Sequence, residues 1–344
     1  MMLQTYPLDL ITPGICGGVR PEKQAEIRAS SIRGVMRWWF RALGGFKSLA
    51  PATLAEQEIL IFGCSGGGVA QAGRMLLRVK CANPDRLRSA SSRNAGQLKA
   101  FPGTEREYLL FPLIQRSRAV FDAGRLPGFE LEIGWRGRSG LWPDIQALAA
   151  VFGHLGALGF RSRRAMGALA FRGTAPDLSQ ALAAFSGAGQ LTVKALPAQD
   201  AAQAISVLAK WLRKWRSSER NRRAEGGSLG RQDHDAGLNQ HQGPVYRPAL
   251  GLPIDQFFSH SQRTVYWDES YHPKQQTGSG RFASPVLLRP YRQAGSRWQA
   301  LVIFADAHRW PQDKKVFING RPRAVALDLY EAMKNDPQLI PFQP

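Results

Sequence analysis

Arginines recur at every fourth position in the segment Arg28–Arg41, which has the sequence RASSIRGVMRWWFR. At about 100° per residue, Arg33, Arg37 and Arg41 fall on one stripe of a helix, opposite an apolar arc. Like charges with this spacing destabilise an isolated helix by about a few tenths of a kcal/mol per pair, and no acidic residue of the segment offsets them. A polyanion is therefore the natural partner, and a solvated basic face is the alternative. The apolar arc consists of Ile32, Val35, Met36, Trp39, Phe40 and Leu43.

The start of this predicted helix, near Ser31, could also bind phosphate. Ser30 or Ser31 is expected as the N-cap, and the free N–H groups of a helix N-terminus favour anions. Gly34 would let a nucleic-acid backbone come close to the helix. Trp38 flanks the arginine stripe and could either stack on a base or pack half-buried, whereas Trp39 is expected in the core.

Glycines bracket three arginines in a second segment, Gly153–Gly167 (GHLGALGFRSRRAMG). Glycine lets the backbone approach a ligand, and Arg161, Arg163 and Arg164 supply positive charge. The segment lacks GK[ST], so it is not a P-loop, and no predicted strand precedes its glycines, which excludes a dinucleotide fingerprint. We expect it to bind RNA, and the alternative is an ordinary glycine-rich turn with exposed arginines. His154 is more typical of a packed helix residue than of a catalyst.

A third basic run leaves a predicted helix and enters a long polar stretch, residues 217–243, that is rich in glycine and arginine. Loops of this length inside a compact domain are usually binding elements or disordered segments. An RNA-clamping arm and a solvated tail are both open for this run. Its members are Lys210, Arg213, Lys214, Arg216, Arg220, Arg222 and Arg223.

The overall charge also favours nucleic acid. The 344-residue chain has 46 basic and 26 acidic residues, a formal net charge of +20, and 35 of the basic residues are arginine. A large positive field attracts polyanions, and arginine favours forked contacts to phosphate and stacking on bases. A genome rich in GC would explain arginine in place of lysine, but it would not explain the excess of +20. An anionic membrane surface is the main rival partner.

The same composition argues against other classes of protein. No stretch approaches the roughly 20 apolar residues that span a bilayer, and the N-terminus does not have the pattern of a signal peptide. Cys16, Cys64 and Cys81 have wide, irregular spacing, which predicts neither disulfides nor a zinc site. We therefore expect a reduced, cytoplasmic protein without a metal or other cofactor.

The predicted elements of the first half follow the order strand, helix, strands, helix, strand. A strand at residues 3–12 precedes the arginine-rich helix at about 31–43, and Pro7 favours an edge or irregular position for that strand. Short strands follow at 75–79, 108–113 and 129–135, then a helix at about 142–155 and a strand at 168–172. This order fits a βαββαβ ferredoxin-like unit, the scaffold of a common RNA-recognition module.

The second half repeats this outline less regularly. Strands are predicted at 190–195, 286–289 and 298–305, with helices at 201–216 and 324–334. We therefore expect an α+β fold with two ferredoxin-like (RRM-like) domains, at residues 1–180 and 181–344, the second of them degenerate.

Five segments, in this order, resemble the RAMP superfamily, and most closely the family of first-numbered RAMP subunits of type III-B CRISPR (Cmr) complexes. The first is IRASSIRGVMRWWFRALGG, after a strand that ends in TPG. The others are IFGCSGG at 61–67, LGALGFRSRRAMGAL at 155–169, LGLPI at 250–254 and RFASPVLLRP at 281–290. The matches span most of the chain.

The resemblance implies a protein that binds CRISPR RNA through ferredoxin-like domains. Members of the family cap the complex near the 3′ end of the guide RNA and help to capture target RNA, so guide RNA, target RNA and other RAMP subunits are the implied partners. Pattern and resemblance together predict the RNA-binding residues. These are Arg28, Ser30, Ser31, Arg33, Gly34, Arg37, Trp38, Arg41, Arg161, Arg163 and Arg164.

The resemblance also bears on catalysis. Backbone RAMP subunits cut target RNA with an Asp in the loop after the first strand, whereas this loop, residues 14–25, offers only Glu22. RAMP endoribonucleases that process guide RNA often use a His, and the first 150 residues contain none. We therefore expect no catalytic site. The alternatives are a scattered acid such as Asp122 or Asp144, or an endoribonuclease that uses one of the later histidines as general acid or base. Those histidines are His234, His241 and His260.

Overall fold

The computed structural model describes residues 1–66, 69–81, 83–89, 92–93, 109–110, 117–122, 126–216, 227–252, 254–257, 263–268, 280–293 and 297–343. The α-helices are α1 Ala29–Ala42, α2 Leu54–Phe62, α3 Trp142–Leu155, α4 Leu178–Ala183, α5 Ala201–Arg216, α6 Gly227–Gly237 and α7 Asp328–Lys334. The strands are β1 Met2–Leu10, β2 Ala25–Glu26, β3 Gly63–Gly66, β4 Val69–Ala72, β5 Met75–Lys80, β6 Arg88–Ser89, β7 Ser92–Arg93, β8 Arg118–Ala119, β9 Gly128–Trp135, β10 Leu169–Phe171, β11 Leu191–Ala198, β12 Ile254–Phe257, β13 Arg263–Asp268, β14 Val286–Arg292, β15 Trp298–Ala305, β16 Lys315–Ile318, β17 Arg321–Ala324 and β18 Ile340–Pro341.

The first sheet has the strand order β10-β1-β9-β5, with antiparallel neighbours. In chain order these are the fourth, first, third and second strands, which is the arrangement of a ferredoxin-like unit. Helix α1 precedes β5 and α3 precedes β10, and the two helices pack against each other. The predicted α+β fold is therefore confirmed.

The prediction that Pro7 places β1 at an edge or makes it irregular is wrong. β1 is a central strand that pairs with β9 from Met2 to Asp9 and with β10 from Leu8 to Leu10. The Pro7 carbonyl accepts a hydrogen bond from the Arg172 N–H at 2.9 Å, just beyond the last paired residue of β10. The backbone N and O atoms of a strand residue point to the same side of the strand. The position where Pro7 lacks an N–H is therefore on the β10 side, where the hydrogen bonds between β1 and β10 end. Proline therefore costs this strand little.

Helix α1 buries the predicted apolar arc, apart from the half-buried Val35. It begins at Ala29 rather than Ser31, and its N-cap is Arg28 without a side-chain cap. The assignment of Ser30 or Ser31 as N-cap is therefore wrong. Two consecutive glycines after the helix have positive φ angles, +71° at Gly44 and +76° at Gly45, and end the helix as glycines commonly do.

Helix α3 spans the predicted residues 142–155 and is largely buried. His154, in its last turn, is a packed residue, as predicted. Its Nδ1 lies 2.9 Å from the Tyr291 hydroxyl and its Nε2 lies 2.7 Å from the Pro176 carbonyl. Burial lowers the pKa of His154, which favours the neutral ring.

The second sheet repeats the ferredoxin-like order, β14-β15-β11-β18. A further four-stranded sheet, β12-β13-β16-β17, is formed by strands that are inserted in the sequence between β11 and β14 and between β15 and β18. This insertion explains why the second half resembled a degenerate copy. It also explains why residues 324–334 differ from the predicted helix, since β17 ends at Ala324 and α7 begins only at Asp328.

The chain forms two compact units, and each unit is built from segments that are separated in the sequence. One comprises Met1–Ala209, Leu287–Ile303 and Pro341–Pro344, and the other comprises Lys210–Val286 and Phe304–Ile340. The boundary predicted near residue 180 lies within α4 and stays a prediction for the two ferredoxin-like repeats. Within the predicted polar stretch 217–243, residues 217–226 lie outside the described residues and 227–237 form α6. The strand predicted at 108–113 also lies largely outside the described residues.

Two buried carboxylates organise the second of these units. Asp233 in α6 accepts hydrogen bonds from the backbone N–H groups of Tyr246 and Arg247, at 2.8 and 2.7 Å. Asp336 accepts hydrogen bonds from the indoles of Trp211 and Trp215, at 2.7 and 2.8 Å. Buried carboxylates that are bonded in this way fix loops and helices in one arrangement.

Candidate nucleic-acid interface

The arginine stripe of α1 faces acceptors of the chain itself. Arg37 and Arg41 both donate to the carboxylate of Glu58 on α2. Arg37 also donates to the Gly63 carbonyl at 2.6 Å, and Arg33 donates to the Met75 carbonyl at 3.0 Å. Part of the charge of the stripe is therefore offset within the chain, because α2 supplies a carboxylate that the segment itself lacks, and a polyanion as a further partner stays a prediction.

Glu58 is nearly buried beneath the two arginines, whose side chains remain 31% exposed at Arg37 and 49% exposed at Arg41. The hydrogen bond from Arg41, and then that from Arg37, lowers the pKa of Glu58 below its ordinary value, although burial acts in the opposite direction. The stripe thus holds α2 against α1 and still presents guanidinium surface to solvent. The sequence signal for α2 was its capping box, Thr53 with Glu56, which is present in the structure.

We predict that Glu58→Gln lowers the free energy of unfolding by about 1–2 kcal/mol at neutral pH, because two charge-assisted hydrogen bonds weaken. The folded-state pKa of Glu58 is depressed, so its contribution is complete above the unfolded-state pKa of about 4.3 and is lost as the pH falls through the folded-state value. Chemical denaturation between pH 7 and pH 3 should show that the difference in free energy of unfolding between Glu58→Gln and wild type shrinks below about pH 4.5. Glu130→Gln, at an exposed position of β9, is the control. A difference in free energy of unfolding that stays constant down to pH 3 would contradict this role of Glu58.

The residues at the start of α1 make contacts that differ from those expected for the predicted phosphate site. Arg28 donates from Nη2 to the Gly17 carbonyl at 3.0 Å, and its Nε is buried without a partner among the described residues. Ser30 is exposed and Ser31 is half-buried, and neither side chain caps the helix. Whether these residues meet RNA stays a prediction.

The glycines of the second segment serve the fold itself. Gly159 and Gly167 have φ angles of +87° and +66°, and a Cβ would lie 2.5 Å from the Ile15 carbonyl oxygen or 1.9 Å from that of Leu158, respectively. The idea that these glycines make room for a ligand is therefore wrong at these two positions, because the space is taken by the chain's own backbone. Their role is to fold residues 156–167 tightly enough to aim the arginines that they bracket.

Those arginines have different surroundings. Arg161 has a positive φ of 63° and donates from Nε to the Leu109 carbonyl at 2.7 Å. Arg164 is buried at 8% exposure and forms a parallel bridge with Leu288 of β14. Arg163 lies over the indole of Trp38, with its guanidinium carbon 4.7 Å from the ring centroid.

The contact between Arg163 and Trp38 joins the two predicted RNA-binding segments. A cavity of about 220 Å³ lies beside it, and its lining includes Gly34 of α1 and Ser162 of the loop. Burial lowers the pKa of Arg163, which is consistent with a guanidinium packed on an aromatic face. The structure thus brings Gly34, Trp38 and Arg163 together, whereas Arg37 and Arg41 point toward α2.

The sequence analysis missed one further cation at this cavity, Arg289 of β14. It is 2% exposed, donates to the Gly156 and Gly153 carbonyls at the end of α3, and donates to the Leu169 carbonyl at 2.5 Å. Its Nε has no acceptor, and it has no carboxylate partner, in the part of the chain that the structure describes. Burial lowers its pKa to about 9. An arginine inside the apolar strand sequence VLLRP was the signal that could have drawn attention to it.

The third basic run is only partly described. Lys210 and Arg213 are exposed on α5, and the Lys214 ammonium lies 4.0 Å from the Asp336 carboxylate. Arg216 is half-buried at the end of α5, whereas Arg220, Arg222 and Arg223 lie outside the described residues. Whether the run clamps RNA stays a prediction.

The candidate catalytic residues are dispersed. Glu22 pairs with Arg118, and Asp144 accepts a hydrogen bond from Ser48. His234 lies in α6 and His241 follows it. His260 is outside the described residues.

In the ranges that the structure describes, no group of three or more His, Cys, Asp or Glu side chains could hold a metal ion. No helix among these residues is long and apolar enough to cross a membrane.

Comparisons with known proteins agree with this architecture. The family model of the RAMP superfamily matches residues 8–170. Two proteins of Pyrococcus furiosus match in sequence. CRISPR system Cmr subunit Cmr1-1 is 29% identical over 173 residues, 49% of this chain and 47% of that protein. Cmr subunit Cmr1-2 is 42% identical over 59 residues, 17% of this chain and 31% of that protein. The chain thus spans less than half the length of either curated relative that it matches.

Solved structures extend the likeness of fold to almost the whole chain. The crystal structure of apo Cmr1 from Pyrococcus furiosus matches with a TM-score of 0.55 and 15% identity, over 97% of this chain and 96% of that chain. A chain of a type III-B Cmr-beta complex bound to cognate target RNA and AMPPnP matches with a TM-score of 0.50 and 13% identity, over 97% of both chains. At these identities the structures establish a shared fold. In sequence, the chain is similar to the RAMP superfamily over residues 8–170 and to the two Cmr1 subunits of Pyrococcus furiosus.

Proposed function

We propose that this protein is a non-catalytic, RNA-binding subunit of a type III-B CRISPR (Cmr) complex. In this role it caps the region near the 3′ end of the guide RNA and helps to capture target RNA, with other RAMP subunits as its protein partners. The sequence similarity to Cmr1-1 and Cmr1-2 supports the assignment to a Cmr complex. The net charge of +20 supports an RNA partner.

The observation that carries the RNA-binding part is the contact of Arg163 with Trp38. It unites the arginine-rich helix and the Gly/Arg loop in one basic and aromatic surface within one compact unit. Single-stranded RNA is recognised in this way, with bases stacked on aromatic or guanidinium planes and phosphates held by cations. Arg41, whose side chain is 49% exposed beside α2, adds a further cation on the same helix.

The non-catalytic part of the proposal is supported by the surroundings of the candidate acids. The only acid in the loop after β1 that could stand for a catalytic Asp is Glu22, and it pairs with Arg118. A general base needs a carboxylate that is free to accept a proton from the attacking group. We therefore assign this loop a structural role.

The first test is affinity purification of the tagged protein from its native cell, with sequencing of the copurifying RNA. CRISPR guide RNAs with defined 3′ ends, together with other RAMP subunits, are expected. Ribosomal RNA, or no RNA, would contradict the proposal. Cleavage of repeat RNA by the purified protein that is lost in His234→Ala or His241→Ala would contradict its non-catalytic part.

We further predict that Arg41→Gln weakens RNA binding several-fold and lowers the magnitude of the salt slope by about one, because one phosphate contact is lost. Arg41 is preferred to Arg37 for this test because its side chain is more exposed, at 49% against 31%. The measurement is the dissociation constant for single-stranded RNA at several salt concentrations. The control is Arg138→Gln, an exposed arginine outside the two predicted RNA-binding segments. Equal slopes for Arg41→Gln and wild type would remove Arg41 from the interface.

A further inference from the structure

Gly34 lies in the interior of α1, at an exposed position where the fold itself does not require glycine. A Cβ there would meet no atom of the described structure within 4 Å, and the residue has no positive φ. Glycine in the interior of a helix is less stable than alanine. The missing side chain is therefore best explained by another molecule that approaches the helix backbone at this point.

The cavity of about 220 Å³ opens beside Gly34. Trp38, Ser162, Arg163 and Arg289 are among its other lining residues, and all belong to one compact unit. Its volume lies below the range of roughly 300–1,000 Å³ that is typical of pockets for drug-sized ligands. A single planar ring system is the size of group that fits.

The lining of the cavity selects for an anion that carries an aromatic ring. Trp38 offers a π-face, on which the Arg163 guanidinium lies at 4.7 Å. Arg289 adds a buried positive charge that, in the described part of the chain, has no carboxylate partner and keeps one Nε–H without an acceptor. A buried cation that is bonded to carbonyls but to no carboxylate favours a negatively charged ligand in a cavity beside it.

We propose that this cavity binds one unpaired nucleotide, with its base packed against the Trp38–Arg163 pair, its phosphate near the Arg163 guanidinium and its backbone passing over Gly34. The proposal rests on the proposed RNA-binding function and makes it more specific. One splayed-out nucleotide would fix the register of the RNA strand on this subunit, whereas phosphate contacts alone would let the strand slide. A free mononucleotide has the same chemistry, and the experiment separates the two sources.

The experiment uses single-stranded RNAs that carry 2-aminopurine at successive positions, bound to the full-length protein. Wild type should quench the fluorescence at one position, and an abasic site at that position should weaken binding roughly tenfold, the usual effect of losing one base–aromatic stack. Trp38→Leu and Gly34→Gln should abolish the quenching and weaken binding by a similar factor. The matched control is Gly140→Gln, at an exposed glycine with no atom near its Cβ position, and it should behave as wild type.

Gly34→Gln is the decisive variant because glutamine favours the helix more than glycine does, so its melting temperature should equal or exceed that of wild type. RNA binding without a quenched position, and with equal affinity for both site variants, would overturn the nucleotide site but leave the proposed function standing. No RNA binding by wild type would overturn both. Quenching that adenosine 5′-monophosphate abolishes at micromolar concentration would assign the site to a free nucleotide and overturn the RNA source.

Discussion

Trp39→Ala is expected to lower the free energy of unfolding of the compact unit that contains α1 by about 3–5 kcal/mol. The Trp39 side chain is 1% exposed and its ring lies edge-on to that of Trp38, with centroids 4.9 Å apart. Alanine would leave a large cavity between α1 and its neighbours, and the loss is a sizeable part of the roughly 5–15 kcal/mol that stabilises a typical domain. Denaturant unfolding followed by near-ultraviolet circular dichroism measures this effect.

Trp142→Ala is the matched control for Trp39→Ala. Trp142 is half-buried at the first position of α3, so its removal exposes less apolar surface and should cost clearly less. A Trp39→Ala protein that unfolds at the wild-type denaturant concentration would show that Trp39 is not part of the core. Loss of RNA binding in this variant would report unfolding, so it does not test the interface.

Gly167→Ala is expected to destabilise the same unit by at least about 3 kcal/mol, through two additive effects. The residue has a φ of +66°, which alanine adopts only with strain, and its Cβ would lie 1.9 Å from the Leu158 carbonyl oxygen. Both backbone groups of Gly167 are also bonded, its N–H to Pro13 and its carbonyl to Leu158, each at 2.8 Å. The chain cannot move aside without breaking these bonds.

Alanine substitutions at two other glycines separate the backbone strain in Gly167→Ala from the clash of the added Cβ. Gly173 has a φ of +83° but nothing within 4 Å of its Cβ position, so Gly173→Ala measures the strain without the clash. Gly140 has neither, so Gly140→Ala should be nearly neutral. Thermal melting of the three variants should rank Gly167→Ala lowest and Gly140→Ala highest. Equal melting temperatures of Gly167→Ala and Gly173→Ala would show that the loop at 156–167 rearranges freely. In that case the loop would not hold Arg163 in one fixed position.

The sequence predicted the elements of the first repeat well where periodicity was long and uninterrupted. Helix α3 was predicted with its observed bounds, and β5 and β9 were predicted to within one residue. The ferredoxin-like order followed from the succession of these elements, since that succession leaves few ways to form one sheet. Helix α2 was not predicted, because it has only nine residues and most of them are apolar, a pattern that is hard to tell from that of a strand.

The candidate site was predicted only in part. The sequence indicated which segments are basic, but the partner of Arg37 and Arg41, Glu58, lies 17–21 residues away on the helix that was missed. The contact of Trp38 with Arg163 and the position of Arg289 depend on side chains brought together over more than 100 residues of sequence. Local pattern carries no information on such distant contacts, so periodicity alone could not place them at one cavity.

The interleaving of the two units bears on how the protein is made. Arg289 bonds the carbonyl of Leu169 in β10, which is synthesised 120 residues earlier, so this carbonyl waits for its donor. At about 5–20 residues per second, that wait is roughly 6–24 s on the ribosome. A nascent chain that stops before β14 would carry the first sheet and α1 but lack one wall of the cavity beside Gly34. Truncated translation products would thus keep the basic helix yet lose the pocket.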